Sequence, residues 1–140
     1  MILLAEDDAN DVFFLKRAFQ KAEIDCKIID LPNGQLVVDY LSGAAPFDNR
    51  SQYPLPHLLL LDLKMPLMTG FEVLEWMQSH PEIGDLPALV LSSSAHQEDM
   101  AKARCLGARD YHVKPSDQHQ LIEFARELQA KWLGQKVLAS

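Results

Sequence analysis

The sequence predicts a doubly wound α/β domain built on a parallel sheet. Short aliphatic runs alternate with longer amphipathic stretches along all 140 residues, as a series of βαβ units requires. The run Leu58-Leu59-Leu60-Leu61 is apolar without alternation, the pattern of a strand covered on both faces. Acidic, hydroxyl or lysine side chains stand at the ends of four of the five expected strands, where open α/β sheets gather their ligands.

The first strand is Ile2–Ala5, stopped by Glu6, Asp7 and Asp8. Asp8 or Asn10 caps the helix that follows to about residue 22, whose Val12, Leu15, Phe19 and Ala22 recur at near-helical spacing. Residues 26–31 read as the second strand, Pro32-Asn33-Gly34 as a turn, and Leu36, Val37, Tyr40 and Leu41 as the buried stripe of a short helix. Residues 43–57 carry Pro46, Pro54 and Pro56 and read as a long loop suited to a partner surface. The leucines at 58–61 could open a helix by residue type alone, but Asp62, Pro66 and Gly70 break the run and decide for a strand. A third helix runs through Phe71, Leu74 and Met77 to near Ser79. Residues 88–91 form a fourth strand ending in Ser92-Ser93-Ser94, and 97–106 a weakly apolar helix with Gly107 at its end. Residues 111–113 form the fifth strand; beyond Lys114-Pro115, Ser116 or Asp117 caps a last helix with Leu121, Phe124, Ala125, Leu128 and Trp132 on one side. One domain over residues 1–140 accounts for this pattern.

Composition narrows the function. Hydrophobic residues make up 48% of the chain and charged ones 24%, ordinary for a folded soluble domain. A net charge of −7 with no basic run argues against nucleic acid as a partner. The apolar start is too short for a membrane span or a leader. Cys26 and Cys105 share no metal-ligand spacing and read as reduced thiols of a cytoplasmic protein. The five histidines form no metal pair at helical spacing.

The chemistry collects at the strand ends. Glu6 and Asp7 follow strand one, Asp62 strand three, Ser92 strand four and Lys114 strand five. Three carboxylates brought to one rim repel one another unless a cation intervenes, and Mg²⁺ is the natural hard cation for oxygen ligands. Asp7 and Asp62 would bind it directly and Glu6 through water, with the Lys64 backbone carbonyl as a further ligand. An aspartate carboxylate is a competent nucleophile toward phosphorus, Lys114 suits a phosphoryl oxygen, and the Ser92 hydroxyl can donate to one. Singly, each residue has a plain structural explanation, as a helix cap, a loop contact or a solvated charge. Together, at four strand ends in order, they point to phosphoryl chemistry.

Four segments then carry a resemblance: Ile2-Leu3-Leu4-Ala5-Glu6-Asp7-Asp8, Leu59-Leu60-Leu61-Asp62-Leu63-Lys64-Met65-Pro66, Leu91-Ser92-Ser93 and Tyr111-His112-Val113-Lys114-Pro115. In this order they resemble the response-regulator receiver family over nearly the whole chain. The resemblance implies a flavodoxin-like (βα)5 fold with strand order 2-1-3-4-5. It implies Asp62 as phosphoacceptor, Glu6 and Asp7 as metal-binding acids, Lys114 as the phosphoryl-contacting lysine, Ser92 as the switch hydroxyl and Tyr111 as the switch aromatic. On phosphorylation Ser92 is expected to be drawn inward and Tyr111 to turn in from solvent. It also implies a cis Lys114–Pro115 peptide. Thr69-Gly70 departs from a common Asp-Gly, and Ala5 from a commoner valine. The loop before strand three, the Ser79–Pro87 stretch and the Trp132 tail are similar to regulators that partner bacterial phytochrome-type histidine kinases.

A phosphatase that works through an aspartyl phosphate would need a general acid two residues after Asp62, and that position is Lys64. A degenerate receiver serving as a constitutive module would not need so complete an acidic set. The expectation is therefore a single-domain signalling switch, not an enzyme, which accepts phosphate from a sensor histidine kinase. With no output domain expected, its output would be a protein contact, including self-association through the face of helix four, strand five and helix five near Tyr111, Trp132 and Leu133, unless Trp132 only anchors the last helix on the core.

Overall fold

The computed structural model describes residues 1–133. β1 (Ile2–Ala5), β2 (Ile28–Leu31), β3 (Leu58–Leu61), β4 (Ala88–Ser92) and β5 (Asp110–Val113) form one sheet in the order 2-1-3-4-5, each neighbouring pair parallel. The helices are α1 (Ala9–Lys21), α2 (Gly34–Ser42), α3 (Gly70–Gln78), α4 (Gln97–Cys105) and α5 (Gln118–Leu128). None among the described residues is long and apolar enough to cross a membrane.

β1, β3 and β4 are buried along their whole length, because helices cover both faces of the sheet. Alternation along each strand divides the core in two. Leu3, Leu59, Leu61 and Val90 pack with Val37 and Tyr40 of α2, Val73 and Leu74 of α3 and Ala103 of α4. Ile2, Leu4, Leu58, Leu60 and Leu89 pack with Leu15 and Phe19 of α1 and Phe124 and Leu128 of α5. β2 begins at Ile28 instead of the expected residue 26, because only Ile28–Leu31 find register partners in the four residues of β1. α4 is as thinly apolar as its sequence suggests, with Ala103 its one buried residue.

Loop 43–57 is tied to the end of α2. The Arg50 guanidinium donates to the carbonyls of Tyr40 at 2.8 Å and Leu41 at 2.9 Å in the last turn of the helix, and to that of Tyr53. The rings of Tyr40, Phe47 and Tyr53 pack against one another, and the Tyr40 hydroxyl donates to the Pro54 carbonyl.

Of the two roles the sequence leaves open for the C-terminal aromatic, the structure takes the core anchor. Beyond α5 the chain makes one π-helical turn, Gln129–Leu133, which puts Leu133 in the α1–α5 side of the core and lays Trp132 against it. Tyr111 is only 8% exposed. Burial of apolar area decides all three placements, since a long apolar side chain beside an open core gains more inside it.

The segment after β3 runs close to backbone on both sides. Gly34 donates its N–H to the Met68 carbonyl, and a Cβ there would stand 2.2 Å from that oxygen. Gly70 donates to the Leu63 carbonyl, and its Cβ would stand 2.3 Å from the Asp62 carbonyl oxygen and 2.8 Å from the Leu63 Cα. Backbone cannot yield there without moving Asp62. Gly70→Ala is expected to destabilise the fold by about 2 kcal/mol, measured as a lowered urea midpoint with an unchanged slope.

Candidate functional site

The carboxyl ends of the strands are held level by backbone bonds. Glu6 N donates to the Leu31 carbonyl, Asp62 N to the Ala5 carbonyl at 3.0 Å and Lys114 N to the Ser92 carbonyl at 2.8 Å. Four strand ends therefore present their next side chains along one rim. Asp8 caps α1 by accepting from the N–H groups of Asn10 and Asp11, which turns the chain away and leaves Glu6 and Asp7 at the sheet edge. Thr69 caps α3 in a reciprocal box with Glu72, so the departure from Asp-Gly serves the helix start.

Glu6, Asp7 and Asp62 bring carboxylate oxygens within 4.8 Å of one another. Glu6 and Asp62 are buried, at 5% and 6% exposure, and Asp7 is exposed. Lys114 reaches in from beyond β5: its Nζ lies 2.7 Å from Glu6 Oε1, 2.8 Å from Asp11 Oδ2 and 3.3 Å from Asp62 Oδ2. Lys64 is exposed, but its N–H points to Asp62 Oδ1 at 3.4 Å, tying its peptide to that carboxylate.

One expectation is corrected here and one residue is added. The one cis peptide among the described residues is Ala45–Pro46, and Lys114–Pro115 is trans. The lysine reaches the acids without a cis bond because its backbone is anchored on Ser92 and its four-carbon stem spans the remaining distance. Asp11, which the sequence analysis passed over, is an ion-pair partner of Lys114. An acid in the first turn of a helix is already accounted for by the helix dipole, so nothing local marked it.

Burial and the neighbouring Asp62 charge push the Glu6 carboxyl up to about 7, a rise the Lys114 bond only partly offsets. For Lys114, burial works against the ammonium. The carboxylates of Asp11, Glu6 and Asp62 outweigh it and hold the group above the ordinary lysine value. Acids outnumber cations in the pocket, and every available ligand atom is a hard oxygen. That set fits a small divalent ion such as Mg²⁺ or Mn²⁺, and Glu6, Asp7 and Asp62 are the residues that would hold it.

Ser92 is fully buried, and its Oγ accepts from Ser94 N at 3.2 Å. The Ser94 carbonyl accepts from the Tyr111 hydroxyl at 2.8 Å, and Ser94 Oγ donates to Asp99 of α4 at 2.5 Å. Tyr111 thus already lies inside with its hydroxyl bonded. It is not a ring waiting in solvent. Ser94 and Asp99 are further residues of the site that residue type alone did not single out.

A family model for the response regulator receiver domain matches residues 2–126. The chain belongs to that family. Response regulator RPA3017, in red light signaling of R. palustris, is 30% identical, with a TM-score of 0.89 over 94% of this chain and 92% of that one. The phosphorylated cyanobacterial phytochrome response regulator RcpA is 28% identical, with a TM-score of 0.85 over 96% and 94% of the two chains. Response regulator Rcp1 of Synechocystis sp. is 28% identical over 133 residues, 95% of this chain and 88% of Rcp1. Its Mn²⁺-bound form has a TM-score of 0.83 over 94% of this chain and 93% of that one. Receiver domains of Rcp1-like regulators are signalling switches and not enzymes, and this receiver works by phosphorylation in two-component signalling.

The raised Glu6 carboxyl sets the sign of a pH effect. Between its ordinary 4.5 and about 7, the folded receiver holds a proton that the unfolded chain has released, so Glu6 makes metal-free stability fall as pH rises through that window. A divalent ion needs the ionised carboxylate and relieves the same repulsion. Calorimetric melting with and without Mg²⁺ is expected to show a larger metal-induced rise in Tm at about pH 8 than at about pH 5.5.

Proposed function

We propose that the chain is one receiver domain whose Asp62 takes a phosphoryl group from a phosphohistidine of a sensor histidine kinase. The carrying observation is the Glu6, Asp7 and Asp62 cluster beside the Lys114 ammonium. An Asp62 carboxylate oxygen forms the new bond to phosphorus while the phosphorus–nitrogen bond to the donor histidine breaks, and the freed imidazole takes its proton from solvent. Lys114, already 3.3 Å from Asp62 Oδ2, moves its contact to an oxygen of the transferred group. Asp7 and Asp62 directly, Glu6 through water and the Lys64 carbonyl would hold Mg²⁺, which when bound would supply charge neutralisation for the phosphoryl oxygens.

Ser92 stands at the head of the output. Phosphorylation adds about 1.5 to 2 negative charges and strong acceptor oxygens. The Ser92 hydroxyl turns to donate to one of them and gives up the Ser94 N–H, loosening the strap that holds Tyr111 and Asp99 of α4. The response is a change in the bonding of a buried tyrosine, in place of an inward swing.

Similarity to RcpA and RPA3017 over nearly the full chain supports a phytochrome-type kinase as the donor. The cytoplasm is the matching compartment, where cysteines such as Cys26 and Cys105 stay free. Neither nucleic acid nor membrane is a proposed partner, given the net charge of −7. Homodimerisation through α4, β5 and α5 rests on β5 being an edge strand with Val113 exposed, and sedimentation with and without phosphate tests it.

Incubation with acetyl phosphate and Mg²⁺ is expected to add one phosphoryl group by intact mass, absent in Asp62→Asn and without Mg²⁺. Labelling of Asp62→Asn to the wild-type extent overturns the assignment. Ser92→Ala is expected to accept phosphate yet lose the amide shift changes in α4 that follow phosphorylation of the wild type. Equal shift changes in both proteins would remove Ser92 from the relay.

A further inference from the structure

We propose that Asp11 is a positioning residue for Lys114, the anion that keeps the ammonium at the acid pocket once a metal and a phosphoryl group compete for its other partners. The inference rests on the reading of Asp62 as phosphoacceptor and names a residue that reading does not use.

A lysine ammonium has three donors, and in this structure three carboxylates take them: Glu6, Asp11 and Asp62. Two of these, Glu6 and Asp62, also belong to the cluster that converges on one point with Asp7. A divalent ion there draws their charge to itself and repels the ammonium. Asp11 stands outside that cluster, 2.8 Å from Lys114 Nζ, and is the partner the ion leaves in place.

Packing does not hold the lysine. A cavity of about 340 Å³ opens between α1 and α5, and Lys114 lines it together with Asp11, Phe14, Gln118 and Leu121. The stem has room to swing into that space, so its place at the pocket depends on its ion pairs. Without Asp11, Lys114 pairs more closely with Glu6 and Asp62 and competes with the metal, and once the metal is bound nothing keeps it beside the phosphoryl group. The first weakens metal binding, and the second slows phosphorylation at saturating metal.

A plain structural role for Asp11, as a favourable acid in the first turn of α1, would cost stability in the same way whether or not Lys114 is present. The test is therefore a double-mutant cycle on the full chain: wild type, D11N, K114A and the double variant, with D11E as the conservative control. At saturating Mg²⁺, D11N is expected to lower the maximal rate of labelling by acetyl phosphate about tenfold with little change in the donor concentration at half rate. D11E recovers part of it, and the double variant is no slower than K114A. Calorimetric Mg²⁺ titration of the four proteins is expected to show D11N weakening affinity several-fold with Lys114 present and less in its absence. Labelling of D11N at the wild-type rate, or equal losses of Mg²⁺ affinity in both backgrounds, overturns the inference. Failure of the wild type to label at Asp62 would sink the phosphoacceptor reading, while the Mg²⁺ cycle, which needs no phosphate, would still decide Asp11.

Discussion

The ammonium of Lys114 is the countercharge on which the acid rim depends. Burying an unpaired carboxylate costs several kcal/mol, and this fold buries two of them, Glu6 and Asp62, within a few ångströms of each other. Lys114 offsets part of that repulsion, and Glu6 still keeps a carboxyl pushed up to about 7. The backbone bonds from Asp62 to Ala5 and from Lys114 to Ser92 set the heights of the strand ends, so the charges meet where the helices diverge. Gly34 and Gly70 allow the segment after Asp62 to pass close enough to keep that carboxylate in place.

An acidic pocket under-compensated by one lysine is poised for a stronger cation. The oxygens that repel one another are the ligand set of a divalent ion, and the residue that partly neutralises them is the one a phosphoryl group would recruit. Because the same charges serve three partners, occupancy by one changes the terms for the others. This is how a small site can hold distinct states without large rearrangement. The chain from Ser92 through Ser94 to Tyr111 and Asp99 then links the pocket to α4, the helix with the fewest buried residues among the five. A helix so lightly held is the natural place for a local change to become a surface change.

Much of this was legible in residue order. The unbroken leucines at 58–61 announced a strand covered on both faces, and the alternation of short runs with helical stripes announced a parallel sheet. Glu6, Asp7, Asp62 and Lys114 could be matched because each follows a strand, and a parallel sheet sends all such positions to one edge. Asp11 escaped because its partner lies 103 residues away and its local setting already explained it. Tyr111 was misjudged, and Trp132 was left open between core and surface, for a related reason. Aromatic residues near an edge strand look alike in sequence whether they face solvent or fill a core, and the register of β5 and the turn after α5 decide between them.

By itself, then, the sequence determined the architecture and the chemical class of the site, because both follow from local periodicity and from which residue types stand at strand ends. Only the tertiary structure decided which carboxylates share the Lys114 ammonium, that its reach needs no cis peptide, and that Tyr111 lies bonded inside. Those outcomes depend on distances across elements far apart in the chain. Such distances are set by packing and backbone register, which no local pattern of residues encodes.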